Sequence, residues 1–175
     1  MKIGDTFLNF ELLDTVTEKS WVASEIIQSR PCLVVIMCNH CPFVKKVEQS
    51  ISNLGKIYNE QLCILAISPS DPSFYPDDSP QNLREQANRL GFNFPYFYDD
   101  RQEVSKSLGV KFMPDFYLFD TQGKLVYHGQ IDDARPSNNI ESDAKDLRVA
   151  IDAVLYSKEM QEDQKSSEGC EISWK

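Results

Sequence analysis

Cys32-Leu33-Val34-Val35-Ile36-Met37-Cys38-Asn39-His40-Cys41-Pro42-Phe43 is the stretch that decides how the chain reads. Its apolar first half fits a strand buried on both faces, as at the centre of a parallel or mixed sheet. Downstream, Val44, Val47, Ile51, Leu54 and Tyr58 recur at three- and four-residue steps, which makes one stripe of a helix. Leu62 to Ile67 is a second apolar strand, and strand, helix, strand in that order is a βαβ unit. Cys38 and Cys41 therefore lie where a buried strand meets a helix. Dithiol chemistry needs sulfurs close enough to bond and a thiolate near neutral pH. A helix N-terminus offers unpaired N–H groups and partial positive charge, both of which favour a thiolate, and His40 adds a possible cation.

Working outward, Phe7 to Leu13 reads as a first strand and Trp21 to Ile27 as a short apolar element. Ser68 to Pro80 is a loop rich in Pro, Ser and Asp. Ser79 reads as a helix N-cap with Pro80 at the first helical position and Gly91 past the end. A short helix is expected after Asp100, with Glu103 completing a capping box and Gly109 as terminator. Asp115 to Phe119 and Lys124 to His128 read as a hairpin around Asp120-Thr121-Gln122-Gly123. Leu147, Ile151, Val154 and Leu155 mark a last helix, and Lys158 to Gly169 a loose polar linker. The expected fold is α/β: a central mixed sheet flanked by helices, with an N-terminal extension and a central helical insertion. Residues 1–157 are expected to form one domain, with 158–175 a linker and tail docked on it.

The 175 residues suit a single domain with a real core, and 41% hydrophobic with 26% charged residues is a globular composition. A net charge of −9 repels phosphate backbones and anionic lipids, which argues against nucleic-acid and membrane-surface partners. No run approaches the roughly 20 apolar residues of a membrane span, and the cytoplasm is the expected compartment. Five cysteines are an odd number, at variance with a fully paired disulfide framework.

Phe112-Met113-Pro114-Asp115 supplies a second element, a proline heading a hairpin strand, where it needs a special position. With the Cys-x-x-Cys at a strand–helix junction, the chain resembles the thioredoxin superfamily. The resemblance implies that Pro114 is cis and stands beside the dithiol, and that the backbone before it pairs with substrate. The resemblance further implies that this proline discourages metal capture. Cys38-Asn39-His40-Cys41-Pro42-Phe43-Val44-Lys45 is further similar to a bacterial redoxin subgroup often described as thiol–disulfide isomerases. So are Tyr75-Pro76-Asp77-Asp78-Ser79-Pro80, Asp132-Asp133-Ala134-Arg135-Pro136 and Gly169-Cys170-Glu171-Ile172-Ser173-Trp174-Lys175. Members commonly carry Cys-Thr before the proline, where this chain has the bulkier Phe112-Met113.

The expected activity is dithiol–disulfide exchange through Cys38 and Cys41, which oxidation should join. The expected partners are disulfide-containing protein substrates and an upstream protein or small-molecule thiol reductant, with no cofactor. Two registers are open. Alignment of the Cys-x-x-Cys motifs makes Cys38 the nucleophile. Alignment of the preceding strand puts Cys41 in that place, which suits Pro42, since proline is welcome first in a helix and costs about 3 kcal/mol inside one. Cys32 and Cys63 read as core thiols. Cys170 is a candidate third thiol, brought to the dithiol by a tail that Ile172 and Trp174 would anchor. Asp115 is a candidate proton acceptor for the resolving thiol, and Arg135 a candidate partner for a thiolate or the tail carboxylate. One alternative is a thiol peroxidase of the peroxiredoxin kind, against which Val35 and Cys38 stand where such enzymes usually carry threonine. The other is a metal carrier using Cys38, Cys41 and Cys170 or His128, although zinc asks for four ligands.

Overall fold

The computed structural model describes residues 1–175. The elements run β1 (Glu11–Asp14), β2 (Lys19–Val22), α1 (Ala23–Ile27), β3 (Cys32–Ile36), α2 (Pro42–Tyr58) and β4 (Cys63–Ser68). A 3₁₀ turn (Pro76–Asp78), α3 (Pro80–Leu90), β5 (Tyr96–Tyr98) and α4 (Glu103–Leu108) follow. The chain continues through β6 (Phe112–Met113), β7 (Asp115–Phe119), β8 (Leu125–Gly129), α5 (Lys145–Leu155) and β9 (Cys170–Glu171).

A seven-stranded sheet is ordered β2-β1-β5-β4-β3-β7-β8. β3, β4 and β5 are parallel, whereas β7 runs antiparallel to β3 and β8 to β7. This is the expected mixed sheet flanked by helices. The N-terminal extension is the β1–β2 hairpin, which pairs through β1 with β5. β3 and β4 are buried along their whole lengths, as unbroken apolar runs require of central strands. Val44, Val47, Ile51, Leu54 and Tyr58 bury the expected face of α2. In α3, the Ser79 hydroxyl caps the Asn82 N–H, Pro80 is in the first turn, and Gly91 closes the helix in the left-handed region at φ +67°.

Several local expectations are corrected. The first strand begins only at Glu11, because the Phe7 N–H is bonded to the Gly123 carbonyl at 2.7 Å across the hairpin turn. Trp21 to Ile27 divides into the end of β2 and α1. The central insertion is not wholly helical: it contributes β5, a three-residue aromatic strand too short to show alternation. Gln102 rather than Asp100 stands at the N-cap of α4, and the Asp99 carboxylate takes the Ser105 N–H at 2.9 Å.

The linker is not loose. β8 is an edge strand, with backbone groups to satisfy. Gln164 Nε2 donates to the Val126 carbonyl at 2.9 Å, while its Oε1 accepts from the His128 N–H at 3.0 Å. The Gln130 N–H donates to the Lys165 carbonyl at 2.8 Å. Polar residues here pack by pairing with an edge, which hydropathy cannot reveal.

Candidate active site

The site is built where β3 ends and α2 begins. Cys41 is the N-cap of α2 in an extended conformation, and Pro42 follows in the first turn. The Cys41 carbonyl accepts the Lys45 N–H at 2.9 Å. Its sulfur therefore stands at the positive end of a seventeen-residue helix. Cys38 lies ahead of the cap, in the turn.

Across from this turn is the cis Met113–Pro114 bond. The Met113 carbonyl oxygen lies 3.3 Å from Cys41 Sγ, within reach of a reduced thiol. β6 pairs antiparallel with β9, so that Phe112 faces Glu171 and Met113 faces Cys170. This register brings Cys170 to Cys41, and the two form a disulfide with Cα atoms 6.2 Å apart. Cys38 is a free, buried thiol.

The expected Cys38–Cys41 bond is thus replaced by Cys41–Cys170. Its cause is the helix start. With Pro42 first in the helix, Cys38 falls in the turn and faces Asp78 and His40, while β9 supplies a sulfur directly at the cap. Burial first, and then the negative charge of Asp78, push the Cys38 thiol well above its ordinary pKa. The backbone N–H groups of Cys41 and His40 oppose that shift. Burial likewise pushes the Cys32 thiol up; its backbone partner on β4 is Cys63, and both sit in the core.

Asp78 organises the turn. Fully buried, its Oδ1 accepts the N–H groups of Asn39 at 2.6 Å and His40 at 3.0 Å. Its Oδ2 binds His40 Nδ1 and the Ser70 hydroxyl. The His40 ring stacks on Tyr75 with centroids 3.7 Å apart. Instead of lending charge freely to a thiol, His40 is held against a carboxylate. Asp78 is a site residue that the sequence does not single out, although it lies in the Tyr75-Pro76-Asp77-Asp78-Ser79-Pro80 segment that carries part of the resemblance. Beneath the turn, Gln86 Nε2 donates to the Cys38 carbonyl at 3.3 Å and to Glu48 Oε2 at 2.9 Å, and Arg89 reaches Glu48 at 3.0 Å.

The donor atoms of Cys38, His40 and Asp78 lie within 4.8 Å of one another, a possible metal-ligand set. A cation there would have to displace the hydrogen bonds that Asp78 already accepts. The other proposed metal ligands are otherwise engaged: Cys41 and Cys170 are bonded to each other, and His128 Nε2 bonds Asp115 at 3.0 Å.

Asp115 is buried, and its carboxylate is occupied by His128 and by the Tyr117 hydroxyl at 2.9 Å, with no hydrogen bond to a cysteine. Arg135 does not take the chain-terminal carboxylate. It pairs with Glu168 of the tail at 3.3 Å and donates to the Asp132 and Ala134 carbonyls. Ile172 anchors the tail by burial, whereas Trp174 is 42% exposed with Lys106 over its ring. The missing anchor is Gln102, itself fully buried. Its Nε2 donates to the carbonyls of Pro69 at 2.8 Å and Ser173 at 2.9 Å, and its Oε1 accepts the Lys175 N–H at 2.7 Å.

No helix of the structure is long and apolar enough to cross a membrane. The profile of the AhpC/TSA family matches residues 3–128. No curated protein matches the chain. Among solved structures, an uncharacterized conserved protein from Geobacillus kaustophilus is 38% identical with a TM-score of 0.95, over 99% of this chain and 93% of that one. A hypothetical protein from Sinorhizobium meliloti 1021 is 34% identical at a TM-score of 0.95, over 100% and 96%. A thiol:disulfide interchange protein of the thioredoxin family from Chlorobium tepidum, 13% identical over 89% of this chain and 99% of that one, shares the fold at a TM-score of 0.67. The fold is thioredoxin-like, and the family and the cysteine chemistry are those of a redox thiol protein.

Proposed function

The chain belongs to the AhpC/TSA family, and from that premise we propose that it is a thiol–disulfide oxidoreductase in which Cys41 attacks and Cys170 resolves. The observation that carries this reading is the Cys41–Cys170 bond at the N-cap of α2, with Cys38 left as a buried thiol. The reduced Cys41 thiolate attacks a substrate disulfide, forming a mixed disulfide and releasing one substrate thiolate, which takes up a proton. Cys170, as thiolate, then attacks Cys41 Sγ and displaces the second substrate thiolate, leaving Cys41–Cys170. An upstream protein or small-molecule thiol returns both cysteines to the reduced state, as a reducing compartment such as the cytoplasm permits. His40, Asp78 and Pro114 position Cys41, Arg135 positions the tail, and Cys38 takes no part in the exchange. The CNHCP segment and the Gly169–Lys175 tail support placement in the redoxin subgroup of thiol–disulfide isomerases.

Acid-quenched mapping of the reduced protein mixed with a disulfide-bonded protein tests this. Cys170→Ser should accumulate a mixed disulfide at Cys41, Cys41→Ser should abolish exchange, and Cys38→Ser should retain it. Accumulation of a Cys38–Cys41 bond during turnover would overturn the assignment.

The family match favours one second reading, a thiol peroxidase. Cys41 would then attack a peroxide oxygen to give a sulfenic acid and the alcohol or water. Cys170 would condense with it, releasing water and leaving the same disulfide. Peroxide consumption faster than disulfide exchange at equal substrate would select that reading.

A further inference from the structure

The groove that holds the tail has the properties of a binding site for polypeptide. β6 is two residues long and pairs only with β9, in a small sheet of its own. When β9 leaves, Phe112 and Met113 present an unpaired backbone edge beside Cys41, the arrangement that lets an extended chain add as a strand.

The seat is selective. A side-chain carbon on Gly169 would collide with the Met113 carbonyl, which is backbone and cannot swing away, so the residue before the cysteine must be glycine. Two residues after the cysteine, Ile172 is 6% exposed and belongs to the hydrophobic core, so an aliphatic residue is wanted there. Glu171 between them is exposed and free to vary. Two residues before the cysteine, Glu168 meets Arg135. Gln102 holds the main chain at 173 and 175 through backbone atoms alone, which any sequence supplies.

The resemblance to thioredoxin already implies that substrate pairs with this edge; we propose that the groove selects by sequence, its cognate partner being a segment of another protein of the form Gly-Cys-x-aliphatic, extended and with its cysteine in a disulfide. The tail is then a built-in copy of the substrate. The proposal rests on the reading of Cys41 as the attacking thiol and adds what that thiol selects. Cys41 attacks the sulfur of the bound segment's cysteine, and the cysteine formerly joined to it leaves as a thiolate. The segment next lifts from β6 while still bonded to Cys41. The tail takes the vacated edge, and Cys170 displaces the segment as its thiolate. Tail and substrate need the same backbone groups of Met113, so resolution and strand exchange are linked.

The test uses the full chain carrying Gly169→Ala and Cys170→Ser, whose own tail neither seats nor resolves. The probe is a peptide copy of residues 166–175 with its cysteine joined to thionitrobenzoate, compared with copies bearing alanine for the glycine or serine for the isoleucine. Thionitrobenzoate release and the mass of the Cys41–peptide adduct are followed. The glycine-to-alanine peptide should react at least about tenfold more slowly, equivalent to ~1.4 kcal/mol of lost binding, with the isoleucine-to-serine peptide also slowed. Equal rates for all peptides would overturn the selective site and leave Cys41 exchange standing. No release with any peptide from the folded variant would overturn the exchange reading itself. Reoxidation of the unmodified chain into Cys41–Cys170 dimers, faster than it captures the peptide, would assign the groove to a second copy and overturn a foreign partner.

Discussion

The buried Asp78 carboxylate holds His40 at two places, its backbone N–H at 3.0 Å and its ring nitrogen Nδ1, and so fixes the turn on which Cys38 and Cys41 are mounted. Its remaining partners, Asn39 and Ser70, leave the carboxylate fully occupied. The turn before the active helix is thus set by a residue from the segment just ahead of α3.

Asp78→Asn should therefore cost stability and raise Cys38 reactivity together. Loss of hydrogen bonds to a buried charged group is expected to cost about 2–4 kcal/mol, read from the shift in urea midpoint. Removal of the negative charge also removes one cause of the raised Cys38 thiol pKa, so alkylation of Cys38 at pH 9 should speed up. An unchanged midpoint and an unchanged alkylation rate would contradict this role.

Alkaline pH should weaken the fold through Cys38. Its folded pKa is raised, so above the unfolded value of about 8.5 the unfolded chain gives up a proton that the folded chain keeps. Its contribution to stability is full below that value and falls as pH rises, at about 1.4 kcal/mol per unit. The Tyr96 and Tyr117 hydroxyls, both pushed up chiefly by burial, add to the decline only above about pH 10. Urea titrations between pH 8 and 10 should show the slope, and Cys38→Ala should make it shallower, the raised Cys32 thiol accounting for part of what remains.

The Cys41–Cys170 bond spans 129 residues of sequence, and closing so long a loop restricts the unfolded chain strongly. Reduction, or Cys170→Ser, is expected to cost about 3–5 kcal/mol by the chain-entropy account. Denaturant midpoints of the oxidised and reduced protein measure the difference, and coincident midpoints would be the contrary result.

Gln102→Ala should free the end of the tail while sparing the sheet. The substitution removes the partners of Pro69, Ser173 and Lys175. Hydrogen exchange at Lys175 should rise roughly fivefold for each hydrogen bond of about 1 kcal/mol lost. Protection equal to that of the unmodified chain would show that Ile172 alone holds the tail.

Much of the fold was legible because central strands and an amphipathic helix write themselves in hydropathy, as Cys32–Ile36 and the Val44–Tyr58 stripe do. The place of Cys41 at the head of α2 could be argued from Pro42, since backbone chemistry allows proline few positions in a helix. Cys170 could be named as a third thiol that a docked tail brings to the dithiol, but its direct bond to Cys41 in place of Cys38 could not be read, because residues 129 apart meet only through the β6–β9 register. Nor could the uses of Asp78 and Gln102. Each is a polar residue whose worth lies in distant backbone atoms. Gln164 illustrates the same limit, since an edge strand makes a polar linker a good partner.

The span of that bond also bears on how the molecule answers mechanical force. While Cys41 and Cys170 are joined, a pull on the two ends can stretch only the chain outside the closed loop, however far the sheet gives way. Reduction releases the other 129 residues, about 430–460 Å of additional contour at full extension. The redox state of one sulfur pair therefore sets how much of this chain a pulling machine, or a protease that threads its substrate from an end, is able to draw out.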